Sequence, residues 1–297
     1  MASEDALVVV GLGEVLWDLF PEGKQLGGAP ANFAYHAQAL GARGLAVSCV
    51  GDDELGQAIV EQLTARGLDM RYVAVDSGHP TGTVSVTLDR NGVPAYVIHT
   101  DVAWDFLPAS PDLLALARRT DAVCFGTLAQ RAPVTRETMI AFLDTTPAGC
   151  LRLFDINLRQ SYYDVPTILR SLDFADALKL NDGELTVLKE LLGLAGTERH
   201  VIDVLIRDFG LRAVALTRGD QGSLLVTQDG ASEHPGCPPE RIADTVGAGD
   251  CFSAAFVMGL LHSEPLDAIN EKANRLAGYV CSQTGAMPIM PLALTGA

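Results

Sequence analysis

The chain has 297 residues with 37 acidic and 21 basic side chains, a formal net charge of −16, which argues against a nucleic acid partner. Hydrophobic residues make up 48% and charged residues 20%, a balance typical of globular proteins with a large core, and a chain rich in Gly, Ala, Val and Leu favours α/β layers. Six scattered cysteines include no Cys-x-x-Cys pair, so a zinc site is not expected.

The N-terminal segment MASEDALVVVGLGE has no basic region followed by a long apolar run. No later stretch approaches the apolar length of a membrane span. These patterns predict a cytoplasmic protein with no membrane partner and with reduced thiols.

The first third of the chain alternates apolar runs with helical patterns. Residues 6–11 predict a buried strand, residues 27–40 a helix that stops at Gly41, and residues 45–50 a second buried strand. Asp52 and Asp53 stand where a helix N-cap is expected, before apolar residues at helical spacing.

Residues 81–104 follow a different pattern. Val84, Val86 and Leu88 alternate with polar residues, Asp89-Arg-Asn-Gly92 predicts a hairpin turn, and residues 95–99 predict the returning strand. This segment is predicted to be a half-exposed antiparallel piece inside an α/β chain.

Strand and helix patterns then alternate to the end of the chain, which predicts βαβ units and a mostly parallel sheet. The predicted strands are residues 122–125, 151–154, 177–180, 213–217 and 223–226, and the last two predicted helices are residues 249–262 and 265–283.

The segment IADTVGAGDCFSAAF, residues 242–256, places small residues where a helix begins. Gly247, Ala248 and Gly249 leave the backbone N–H groups of a helix N-terminus open, which suits an anion hole for a phosphate. Asp250 beside that phosphate makes sense as a base that takes a proton from an attacking hydroxyl. The alternative is a glycine-rich turn with an aspartate at an N-cap.

Two motifs resemble the signatures of the ribokinase-like, or PfkB, family of carbohydrate kinases. Asp244-Thr-Val-Gly-Ala-Gly-Asp250 resembles the C-terminal signature. Gly27-Gly-Ala-Pro-Ala-Asn32 with Val50-Gly-Asp-Asp-Glu-Leu-Gly56 resembles the N-terminal one. Within the family, the chain looks most like bacterial fructokinases, on Gly11-Leu-Gly-Glu14 with Asp18, Pro80-Thr-Gly-Thr83, Ala103-Trp-Asp105, Phe125-Gly-Thr-Leu128 and Phe154-Asp-Ile-Asn-Leu-Arg159.

The resemblance covers the whole chain and implies one ribokinase-like domain over residues 1–297. Its fold is a central, mostly parallel sheet flanked by helices, with a small β-sheet lid formed by about residues 14–26 and 81–104. The implied activity is transfer of the γ-phosphoryl group of ATP to a sugar hydroxyl, with Mg²⁺ as cofactor. Asp250 is the implied base, and the amides of residues 247–249 are the implied anion hole.

The resemblance also implies a sugar site. Asp18, Gly27, Gly28 and Asn32 match its loop and carboxylate, with a turn residue, loop glycines and a helix-start asparagine as the structural alternatives. Arg159 could hold a sugar oxygen or a phosphate, or form a salt bridge with Asp155 or Asp164. Gln130 is a further candidate for sugar contact.

Asn181 and Glu184 resemble an Asn-x-x-Glu motif that organises magnesium and phosphate, partly through water. The same spacing is also a helix capping box, and both interpretations can hold together. Thr217, Gly219 and Gly222 resemble a nucleotide loop, or a turn at a strand end. Asn274 matches an adenine-side position, or a solvated helix residue.

The family's monovalent-cation loop is matched by five residues. These are Asp244, Val246, Val280, Gln283 and Gly285. They predict a K⁺ site, with the alternative that Asp244 caps its loop or pairs with Arg241. Lid strands are also expected to pair across a homodimer.

Several other functions stay open. Fructose is the expected sugar, and 2-keto-3-deoxygluconate, ribose and nucleosides are alternatives. Gly11-Leu-Gly13 could start a dinucleotide fingerprint, but Leu16 stands where its third glycine belongs. No GxxxxGK[ST] P-loop is present. A non-catalytic sugar sensor would not need Asp250.

Overall fold

The protein is described by a computed structural model over residues 6–21, 23–88 and 94–295, without the side chains of residues 86–88 and 94–95. The predicted turn at Asp89–Gly92 lies outside the described residues. The strands in this part of the chain are β1 (Val8–Leu12), β2 (Leu16–Phe20), β3 (Gly23–Gly27), β4 (Arg43–Gly51), β5 (Val73–Asp76), β6 (Thr83–Leu88), β7 (Pro94–Ile98), β8 (Ala122–Phe125), β9 (Leu151–Asp155), β10 (Ala177–Asn181), β11 (Ala213–Thr217), β12 (Ser223–Thr227) and β13 (Ala231–His234).

The helices lie between and after these strands. They are α1 (Ala29–Ala39), α2 (Glu54–Ala65), α3 (Pro111–Ala117), α4 (Pro133–Thr145), α5 (Val165–Phe174), α6 (Asp182–Leu192), α7 (Glu198–Phe209), α8 (Ala248–Leu261), α9 (Leu266–Cys281) and α10 (Leu292–Thr295). None of the described helices combines the length and the apolar character that a membrane span requires.

The large sheet has nine strands in the order β13-β12-β11-β10-β9-β8-β1-β4-β5. The seven strands from β11 to β5 run parallel, and β12 and β13 add an antiparallel edge. Helices cover both faces, so the strands are buried on both sides and read as continuous apolar runs. In β1, for example, Val9 packs in the core on one face and Val10 in the core on the other.

The small sheet has four strands in the order β3-β2-β6-β7, with β2 and β6 parallel and the outer pairs antiparallel. It is hydrogen-bonded separately from the large sheet, and residues 16–27 and 83–98 supply its strands. The alternating pattern of residues 81–104 therefore predicted an antiparallel pair correctly.

The predicted element types agree with the structure, and the boundaries differ by a few residues. Strands β8 and β11 coincide with the predictions, whereas β1 begins two residues later than expected. Asp53 caps α2, and its side chain accepts a hydrogen bond from the N–H of Gly56. The functional consequence of the topology is that β1, β9, β10 and β11 all end at one edge of the sheet, where ligands bind in open α/β proteins.

Candidate active site

Helix α8 begins at this sheet edge with the segment Gly247-Ala-Gly-Asp250. Gly247 is its N-cap, with a left-handed φ of 79° and no side-chain capping bond. A Cβ atom there would lie 2.6 Å from the Cβ of Ala286, so both the conformation and the packing require glycine. The residues predicted as an anion hole thus form an uncapped helix N-terminus, the arrangement that attracts anions.

Asp250 lies in the first turn of α8 and is held by Asn32 from α1. The Asn32 Nδ2 atom donates a hydrogen bond of 2.7 Å to Asp250 Oδ2. The Asn32 side chain is buried, and its Oδ1 atom has no hydrogen-bond partner among the described residues. Two residues 218 positions apart in the sequence therefore meet at one point, and Asn32 keeps an oxygen that can accept from a bound hydroxyl.

The Asp250 carboxyl group has an environment suited to a base. Burial is the largest cause that raises the pKa of this carboxyl, the Asp155 charge acts in the same direction, and the resulting pKa is about 6. The hydrogen bond from Asn32 and the charges of Lys179 and Arg159 act in the opposite direction on the same pKa. Asp250 is therefore ionised at pH 7 but basic enough to accept a proton.

Asp18 and Glu14 complete a group of carboxyls that we call the carboxylate cluster, made of Glu14, Asp18, Asp155 and Asp250. Burial raises the pKa of Asp18 to about 6 and that of Glu14 to about 7, and the charge of Arg159 lowers both pKa values. Arg159 also lowers the pKa values of Asp250 and Glu184. One guanidinium thus influences several of the predicted site residues.

Gly27 and Gly28 let the chain pass closely beside this cluster. A Cβ atom at Gly27 would lie 2.5 Å from Asp18 Oδ2, and one at Gly28 would lie 2.6 Å from the carbonyl oxygen of Glu14. Gly28 also has a φ of 114°, which disfavours a side chain. The glycines predicted for sugar binding are required first of all by the local packing.

The side chains of Arg159 and Gln130 differ in burial and in their hydrogen bonds within the protein. Arg159 is exposed and forms no ion pair with Asp155 or Asp164, because Asp155 pairs with Lys179 and Asp164 caps α5. Gln130 is buried, and its amide group donates to the Gly126 carbonyl oxygen at 2.8 Å and to Ser171 Oγ at 2.9 Å. Both amide hydrogens of Gln130 are therefore used in internal bonds, and its contact with a sugar stays a prediction.

Asn181 and Glu184 form a capping box at the start of α6. Each accepts a hydrogen bond of 2.8 Å from the backbone N–H of the other, and Glu184 also accepts one from Leu158 at 3.1 Å. Burial raises the pKa of Glu184. Since each carboxylate oxygen has one backbone donor and further lone pairs, Glu184 fits a magnesium ion that is bound through water better than one bound directly.

A cleft lies between β11 and α9, and we call it the β11–α9 cleft. Its volume is about 270 Å³. It is lined by Thr217, Gly219, Gly222, Ala248, Gly249, Asn274 and by apolar groups such as Phe252, Ala277 and Cys281. It therefore connects the predicted nucleotide residues with the start of α8.

Asn274 is part of this cleft and is not a solvated helix residue. It is buried, and its Nδ2 atom donates to Ser223 Oγ at 2.7 Å and to the Asn270 carbonyl oxygen at 2.8 Å. Gly219 and Gly222 both have left-handed φ values, which supports the interpretation of residues 217–222 as a tight loop after β11.

Asp244 joins the loop before α8 to the chain after α9. Its Oδ1 atom accepts a hydrogen bond of 3.0 Å from the N–H of Val246, and its Oδ2 atom one of 3.2 Å from Gly285. The Val280 carbonyl oxygen already accepts from the N–H of Gln283 at 3.0 Å. In the described part of the chain Asp244 forms no ion pair with Arg241. These bonds hold the loop without a cation, and the oxygen lone pairs that remain fit K⁺.

Sequence reasoning missed two groups at this site. Lys179 is a charged residue in the otherwise apolar strand β10, and Glu14 is a buried carboxyl in the segment Gly11-Leu-Gly-Glu14, for which no role was predicted. The lysine in ALKLN is a signal that could have been found, because a charge in a buried strand needs a partner.

Comparison with known proteins identifies the family. A family model described as pfkB family carbohydrate kinase matches residues 20–293. A fructokinase of Klebsiella pneumoniae is 30% identical over 84% of this chain and 83% of its own length. An aminoimidazole riboside kinase of Salmonella typhimurium is 26% identical over 94% of this chain and 91% of its own.

A solved structure gives the same result. The fructokinase of Vibrio cholerae, in a form with bound fructose, ADP and calcium, has a TM-score of 0.80 and 27% identity, covering 98% of both chains. The chain belongs to the pfkB family of carbohydrate kinases. The predicted family and the ribokinase-like α/β fold with its small separate sheet are confirmed.

Proposed function

We propose that this carbohydrate kinase transfers the γ-phosphoryl group of ATP to a hydroxyl group of fructose. The observation that carries the proposal is Asp250, a carboxyl with a pKa of about 6 at an uncapped helix N-terminus. A base and an anion-binding helix end at one place are the two parts that phosphoryl transfer to a hydroxyl requires.

Each part of the site has a task in this reaction. Asn32 and Asp18 orient the sugar, Asp250 accepts the proton of the attacking hydroxyl, and the amides of residues 247–249 stabilise the charge on the transferring phosphoryl. ATP occupies the β11–α9 cleft. Mg²⁺, held through water by Glu184, neutralises phosphate charge when bound. The small sheet covers the sugar as a lid, and the reaction takes place in the cytoplasm.

Fructose is preferred over 2-keto-3-deoxygluconate because of the charges at the site. Glu14, Asp18 and Asp250 are carboxyls that face one nearby guanidinium, that of Arg159. An acidic sugar would add a further negative charge to this group, whereas a neutral sugar adds none. The relatives include kinases of fructose and of a neutral riboside, which agrees with this argument.

A panel of sugars in a coupled ADP-release assay tests the proposal. Fructose, 2-keto-3-deoxygluconate, ribose, aminoimidazole riboside and inosine are compared by kcat/KM. We expect the highest value for fructose and the lowest for the acidic sugar. Preference for 2-keto-3-deoxygluconate would contradict the charge argument. No ATP-dependent turnover with any acceptor would contradict the assignment as a whole.

We also propose a homodimer formed through the small sheet. Val84 gives no support for this interface, because it is only 5% exposed within its own chain. The side chains of Val86 and Leu88 lie outside the described residues. Strand β7 supports the dimer, because Tyr96 is 54% and Val97 is 51% exposed there. Sedimentation that shows only monomer at micromolar concentration would contradict the dimer.

A further inference from the structure

Lys179 forms a buried ion pair beneath the start of α8. Its Nζ atom donates to Asp155 Oδ1 at 3.1 Å, and both side chains are less than a tenth exposed. The flanking residues Leu178 and Leu180 are fully buried. A buried ion pair loses the hydration of both charges, so stability alone is a weak reason for this pair.

The pair connects two strands of the sheet with helix α8. Asp155, at the end of β9, accepts a second hydrogen bond of 2.8 Å from Ser253 Oγ, which lies one turn after Asp250 in α8. Lys179 lies close against Gly249, because a Cβ atom at Gly249 would be 3.3 Å from Lys179 Nζ. The lysine and its aspartate therefore lie against α8 at Gly249, before Asp250, and at Ser253, after it.

The charges that face Asp250 come from several elements. Glu14 follows β1, Asp155 and Lys179 lie in β9 and β10, and Arg159 follows β9, while Asn32 from α1 is neutral. The thiols of Cys124 and Cys251 stay uncharged near neutral pH, because burial raises the pKa of both. Asp155 and Lys179 act on Asp250 with opposite signs: the first raises its pKa and the second lowers it.

We propose that the Lys179–Asp155 pair is a positioning unit that fixes the first turn of α8 on the sheet edge and balances the charge around Asp250. The inference rests on the proposed role of Asp250 as base. Neither residue needs to contact the sugar or the phosphate, since both act through the helix start and through the field at its carboxylate.

The pH dependence of kcat/KM for the sugar tests this role. For the wild type we expect kcat/KM to fall on the acidic side of the profile, with a midpoint near pH 6, where Asp250 titrates. We call this part of the profile the acidic limb. Asp155→Asn removes a negative charge and should move the limb to lower pH by roughly one unit. Lys179→Met removes a positive charge and should move it to higher pH by roughly one unit. The double variant removes both charges and should return the limb to near its wild-type position.

Ser253→Ala is the matched control, because it removes a hydrogen bond to Asp155 but no charge, and it should leave the limb in place. A residue with a purely structural role would lower activity without opposite shifts of the two single variants. If Lys179→Met does not fold, the comparison of Asp155→Asn with the double variant still tests the inference, since the limb must lie lower in the single variant.

A second readout does not depend on activity. The ¹³C carboxyl resonance of Asp250, identified by its loss in Asp250→Asn, should titrate lower in Asp155→Asn and higher in Lys179→Met. Shifts of one sign, or no shifts, would contradict the positioning unit while leaving the base assignment intact. Normal turnover of Asp250→Asn would contradict the proposed function itself.

Discussion

The carboxylate cluster and the β11–α9 cleft differ in the kind of residue that forms them. The cluster is a set of carboxyls with charged neighbours, and the pKa of Asp250, for example, responds to the charges of Asp155 and Lys179. The cleft is formed by glycines, a buried asparagine and apolar side chains around a loop. Changes in the cluster should therefore act through charge and pH, and changes in the cleft through shape.

The largest expected effect is that of Asp250→Asn. The amide keeps the shape of the carboxylate but cannot accept a proton, so we expect kcat to fall by about 10²–10⁴. ATP binding, measured by calorimetry, should be largely kept because the cleft is unchanged. Asp229→Asn, at an exposed position outside the site, serves as control. Near-normal turnover of Asp250→Asn would remove the base from the mechanism.

Glu14→Gln should change the pH dependence of stability. The pKa of Glu14 is about 7 in the folded protein against an ordinary 4.5, so the folded state binds a proton more tightly than the unfolded state. The free energy of unfolding therefore falls as the pH rises from 4.5 to 7. At pH 8 the glutamine variant should be more stable than wild type by up to about 3 kcal/mol, at 1.36 kcal/mol per pKa unit.

This difference between variant and wild type should vanish toward pH 4.5. Urea denaturation at several pH values measures it, with Glu190→Gln at an exposed position as control. A constant difference between Glu14→Gln and wild type at all pH values would show that Glu14 is not the group that titrates.

A glycine of the cleft provides the contrasting test. A Cβ atom at Gly278 in α9 would overlap the carbonyl oxygen of Cys237, so Gly278→Ala must displace the segment around Cys237. We expect the free energy of unfolding to fall by about 1–3 kcal/mol. The displaced segment should also raise the KM for ATP. The KM for the sugar and the acidic limb of the pH profile should stay unchanged. Gly149→Ala, where a Cβ meets no atom within 4 Å, is the matched control. A shift of the acidic limb in Gly278→Ala would show that the two regions are not separable.

The smallest effect is expected from the monovalent cation. A K⁺ ion at Asp244 and nearby carbonyls would fix the loop before α8, so turnover should be higher in K⁺ than in Na⁺ or a bulky organic cation at equal ionic strength. Because Asp244 already bonds to Val246 and Gly285, the loop should keep its shape without the ion. Equal rates in all three salts would leave Asp244 with a structural role alone, and a K⁺ effect that survives Asp244→Ala would contradict the site.

The sequence by itself determined the element types, the family and the motif at the start of α8. Apolar runs predict buried strands because both faces of the parallel sheet are covered, and small residues before Asp250 predict an open helix N-terminus. Only the tertiary structure decided which side chains meet. The bond from Asn32 to Asp250, the Lys179–Asp155 pair and the bond from Gln130 to Ser171 join residues that are far apart in the chain. A local pattern does not contain such partners, because burial and distance in the folded state determine both the hydrogen bonds and the pKa values.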